Sequence, residues 1–100
     1  MMEREVLGVA SPYAAPRTDV EATLARLWSA KLGVQPVGIH DDFFELGGDS
    51  LLAADLQLDI DTALGVEIPT WTLFLSPTIA ELAEAVAEQA GAGRAAVGST

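Results

Sequence analysis

Ser50 sits where two kinds of sequence meet, "DDFFELGGDS" before it and "LLAADLQLDID" after it. A hydroxyl in that position has three available roles: catalytic nucleophile, helix cap, or acceptor of a group delivered by another enzyme. Nucleophilic attack by serine needs an aligned base. The strand-to-helix elbow that serves it reads G-x-S-x-G, with a histidine and an acid elsewhere. Here Gly48-Asp49-Ser50 is followed by Leu51 and Leu52, no strand pattern precedes it, and His40 is the only histidine. Without cysteine and with one histidine, thiolate and zinc clusters are also excluded. No catalytic residue and no metal ligand is assigned, and the chain is read as a non-enzyme. His40 reads as a partly exposed loop residue.

Capping accounts for more, since Asp and Ser are both favoured where a helix begins. It leaves unexplained the two glycines, Gly47 and Gly48, and the long loop ahead of them. The third role takes in all of these. Free amides and the helix dipole at an N-terminus favour a bound or covalent phosphate. Gly47 and Gly48 keep side chains out of a modifying enzyme's way and permit positive φ. Asp49 would add negative charge beside a phosphodiester, so its use lies in recognition or in helping place a metal ion on that enzyme.

The elements that must position Ser50 are helices. "TDVEATLARLWSAKLG" opens on Thr18 with Glu21 three residues on, a capping box, and Val20, Leu24, Leu27, Trp28 and Leu32 form one stripe. Gly33 ends it, which predicts a helix over 19–32. The following "VQPVGIHDDFFELGG" is long for a connection, and Ile39, Phe43, Phe44 and Leu46 are too apolar for a free loop. They pin it across the helix ends, with a short turn near Asp42 to Leu46. From Ser50 the helical period returns, with Leu52, Leu56, Ile60, Ala63 and Leu64 on one face and Gly65 as the stop. At about 100° per residue, Leu51 and Leu58 fall off that face, beside Asp55, and make a candidate partner-docking patch. "VEIPTWTLFLSPT" is a connector with a short turn at Trp71 to Leu75, and both tryptophans read as core or boundary residues. A last helix is predicted over 78–90, capped by Thr78 and Glu81 and striped by Ile79, Leu82, Ala83 and Val86. Residues 1–17 read as a flexible tail or linker, 18–90 as the folded domain and 91–100 as a disordered tail. The fold class is all-α: a small bundle of three main helices plus one short one, with the long loop between the first two.

Charge narrows the partners. The 100-residue chain carries a formal charge of −10, and no Lys or Arg occurs between Leu32 and Gly93. Such a surface repels phosphate backbones and anionic lipid, so neither nucleic acid nor membrane is expected, and a basic protein face would be attracted. No membrane span and no secretory signal is evident, which points to the cytoplasm.

"DDFFELGGDSLLA" resembles the phosphopantetheine attachment motif of peptidyl carrier proteins, the thiolation domains of nonribosomal peptide synthetases, within the acyl-carrier-protein-like superfamily. The resemblance extends through "PYAAPRTDVEATLARLW", "LGVEIP" and "LFLSPTIAELA", in order and at matching spacing. It implies that Ser50 carries 4′-phosphopantetheine, joined by a phosphopantetheinyl transferase from coenzyme A with magnesium. The arm's thiol would hold aminoacyl or peptidyl groups as thioesters for adenylation, condensation, tailoring or thioesterase partners, as in antibiotic biosynthesis. Gly48 and Asp49 would shape access, and Leu51, Asp55 and Leu58 would dock partners. The acids Asp55, Asp59 and Asp61 are similar to those of acyl carriers in polyketide or fatty acid synthesis, the alternative. An unmodified helical interaction module is the second. A monomer is expected. The starting methionines and short tails fit a free-standing carrier acting in trans, or a domain excised from a larger synthetase.

Overall fold

The structure, a computed structural model, describes residues 2–9, 12–69 and 71–98. The remaining positions of the two predicted tails, and Thr70 in the connector, lie outside the described residues.

Helix α1, Asp19–Leu32, starts where its cap predicts: the Glu21 amide donates to Thr18 Oγ1 at 3.1 Å. The other half of the box is different. The Glu21 carboxylate turns back past Thr18 and accepts from the Arg17 amide at 2.7 Å and its guanidinium Nη2 at 2.6 Å. Glu21 is thereby buried while Arg17 stays exposed. The Arg17 hydrogen bond, opposed by burial, holds the Glu21 carboxyl below the usual carboxylate range. Gly33, at φ +66°, closes the helix by donating its amide to Ser29 O.

Leu24 and Trp28 of α1 are fully buried, with Val20, Leu27 and Leu32 flanking them. They meet Ala53, Leu56 and Ile60 of helix α2, Ser50–Leu64, and Ile79, Leu82 and Val86 of the last helix. The stripe on α2 is shifted from the predicted one: Ala53 is buried and Ala63 is exposed. Residues 53 and 63 stand at equal angles on either side of the Leu56–Ile60 line, so the difference lies in what each side of the helix meets and not in the helical period. A single turn, α3 (Thr72–Leu75), buries only Leu73. Trp28 is core as expected, but Trp71 is exposed, because a four-residue helix has one inward position and Leu73 takes it.

Helix α4 runs over Ile79–Gly98, past the predicted boundary at 90, so the backbone of 91–98 is helical where an irregular tail was expected. That extension holds as many glycines as alanines, three of each, so helix propensity alone does not explain it. The N-terminal end differs in the same sense. Strand β1, Met2–Glu3, pairs in parallel with β2, Val34–Gln35, and a 3-10 turn follows over Arg4–Leu7. The folded unit also reaches further upstream than 18. The Ile39 amide donates to Ala14 O at 3.0 Å, and a Cβ on Gly38 would lie 3.2 Å from Tyr13 and from Ala14.

Candidate functional site: an exposed serine at the start of α2

The loop from Val37 to Gly48 is built as a lining to the core. Val37, Ile39, Phe43 and Leu46 are buried, and the Phe43 amide donates to Pro77 O at 2.8 Å while the Ala80 amide donates to Ile39 O at 3.0 Å. Asp41 is also buried, and its Oδ2 accepts from the Gly38 amide at 2.9 Å. Asp42 then organises the expected turn, its Oδ1 accepting from the amides of Phe44 at 2.7 Å and Glu45 at 3.2 Å. His40 is exposed.

The two glycines have separate jobs. Gly47 sits at φ +102° in open space, a conformation that L side chains avoid. Gly48 has an ordinary φ, but a Cβ there would fall 2.2 Å from Cε2 of Phe43. Its missing side chain therefore admits the Phe43 ring from within, rather than clearing a path from outside. Phe43 in turn meets Trp28 edge-on at 5.3 Å.

Asp49, not Ser50, caps α2. Its Oδ1 accepts from the Leu52 amide at 2.9 Å and its carbonyl from the Ala53 amide at 2.8 Å. Ser50 is the first helical residue, exposed, and its hydroxyl enters no hydrogen bond within the described chain. Leu51 and Leu58 are 80% and 65% exposed, off the core face as predicted, and Asp55 is exposed between them. Asp59, next along, pairs with Lys31 of α1 at 3.0 Å.

Reading the sequence missed the contribution of α3. Trp71, Phe74 and Leu75 are exposed there, and Phe74 stacks on Phe44 of the turn at 5.3 Å and 22°. The signal was present in "TWTLFLSP": four large apolar residues in a stretch that forms one helical turn exceed what one turn can bury. No group of three or more His, Asp or Glu residues suited to a metal ion occurs among the described residues. No helix among them is long and apolar enough to cross a membrane.

The family described as "phosphopantetheine attachment site" matches residues 22–86. The fold is similar to the solution structure of an active-site mutant peptidyl carrier protein, with a TM-score of 0.74 and 40% identity over 79% of this chain and 88% of that one. The chain belongs to the peptidyl carrier protein family. The carrier domain is equally similar to the peptidyl carrier protein in a complex with the phosphopantetheine transferase Sfp and coenzyme A. That match has a TM-score of 0.73 and 42% identity over 76% of this chain and 99% of that one. Among sequences it is 54% identical over 71 residues to tyrocidine synthase 3 of Brevibacillus parabrevis, covering 71% of this chain. It spans only 1% of that synthase's length. Carrier domains of this family take 4′-phosphopantetheine as their prosthetic group. The residues present fit a group attached covalently on the exterior: one exposed hydroxyl, with the helix cap supplied by its neighbour.

Proposed function

We propose that Ser50 is the hydroxyl that receives 4′-phosphopantetheine, and that the carrier then holds aminoacyl and peptidyl groups for nonribosomal peptide synthesis. The observation that carries this is the division of labour at the start of α2, where Asp49 takes the cap and leaves the Ser50 hydroxyl exposed, with no hydrogen-bond partner among the described residues. In the transfer the Ser50 oxygen bonds to the phosphorus that bears the pantetheine arm of coenzyme A. The pyrophosphate bond breaks, adenosine 3′,5′-bisphosphate leaves, and the hydroxyl proton passes to a base on the transferase. The arm's thiol carries the acyl thioester.

The chain itself makes and breaks no bonds in this reading. It presents the group, in the cytoplasm, to a phosphopantetheinyl transferase and then to adenylation, condensation, tailoring or thioesterase partners. Leu51, Asp55 and Leu58 flank the attachment point and supply docking contacts, while Gly48 and Asp49 fix its geometry. The test is the intact mass after incubation with a promiscuous phosphopantetheinyl transferase, magnesium and coenzyme A. One phosphopantetheine is gained by the wild type and none by Ser50→Ala. A wild type left unmodified while a control carrier is modified contradicts the reading.

A further inference from the structure

The turn that delivers Ser50 has an inner and an outer side, and they are braced differently. On the inner side Phe43 fills the space left by Gly48, two residues before Ser50, and packs on Trp28. Its amide is tied to Pro77 O, between α3 and α4. On the outer side Phe44 stands edge-on to Phe43 at 5.3 Å and 89°, and Phe74 of α3 lies over it nearly parallel. The four rings form a continuous series from the buried Trp28 to the exposed Phe74.

We propose that Phe44 and Phe74 are positioning residues for phosphopantetheine transfer: their stack braces the Ser50 turn against α3, so the serine keeps its place when a transferase engages this face. The inference rests on Ser50 being the acceptor. Phe44 is half-buried, and the ring stacked on it belongs to an element only four residues long. Hydrogen bonds within the turn, from Asp42 Oδ1 and from the Gly48 amide to Phe43 O, set its shape. They do not fix that shape against α3. The hydrogen bond from the Phe43 amide to Pro77 O holds the turn just past α3, and the stack joins it to α3 itself. An effect on orientation appears in the rate of the bound complex rather than in its formation.

The experiment is a double-mutant cycle on the transfer, with Phe44→Leu, Phe74→Leu and the pair, and with Phe74→Tyr as the variant that keeps the stack. Leucine retains apolar volume, and helical circular dichroism checks the fold. Each leucine variant is expected to lower kcat by about two- to tenfold, the effect of one aromatic pair, with KM for the carrier unchanged. The double variant should be no slower than the slower single one, and Phe74→Tyr should match the wild type. Losses that multiply in the double variant, a loss confined to KM, or no loss at all would overturn the brace. Should Phe44→Leu unfold, the kcat and KM of Phe74→Leu against Phe74→Tyr decide alone. A wild type that accepts no arm, or a Ser50→Ala variant that does, overturns the acceptor assignment and this inference with it.

Discussion

Asp49 and Ser50 are neighbours that the sequence offers as interchangeable caps, and the backbone separates them. With Asp49 extended at φ −138° and its carboxylate on the Leu52 amide, the first turn is closed without the serine. Asp49→Ala should therefore cost about 1 kcal/mol of stability, and Asp49→Ser should restore most of it, as read by denaturant unfolding. Gly48→Ala is expected to be worse. The added methyl meets a ring that is itself wedged against Trp28, so about 1–3 kcal/mol should be lost and transfer to Ser50 should slow. The serine's exposure and the need for a glycine at 48 were both legible, but the reason for Gly48 was not. A clash with a side chain five residues back depends on how the loop folds over the core, which no local pattern encodes.

Among the elements, α1 and α2 were legible to the residue because caps, stripes and terminal glycines agree. Segments held by long-range contacts were not. The strap before α1 reads as a linker of prolines and small residues, yet Ala14 and Arg17 tie it to Ile39 and Glu21. Its strength should depend on pH. The Glu21 carboxyl is held below its ordinary value by Arg17, so its contribution is fully present above the unfolded-state value and disappears as pH falls through the folded one. Glu21→Gln should lower the melting temperature near neutrality, with the difference from wild type shrinking at pH values below the ordinary carboxylate range. On α2, Leu51→Ala and Leu58→Ala should change stability by no more than about 0.5 kcal/mol, because both side chains lie in solvent. The same variants should weaken the acceptance of cargo from an adenylation partner, measured as the KM for the carrier.

For the whole molecule, the acidity that argued against nucleic acid also shapes its encounters. Among the described residues, Asp55 and Asp61 of α2 are in no ion pair, while Asp59 pairs with Lys31 of α1. Association with a basic partner face should accordingly slow as salt rises from low to physiological concentration, with dissociation changing much less. Under the proposed function the exposed Leu51 and Leu58 of α2 supply the short-range contacts once that encounter is made. All of this depends on where the prosthetic arm is attached. Peptide mapping by tandem mass spectrometry after modification of the wild-type chain tests that most directly: the account predicts the phosphopantetheine mass on the fragment containing Ser50 and on Ser50 itself. Attachment at any other hydroxyl, such as Ser29 or Ser76, would contradict it.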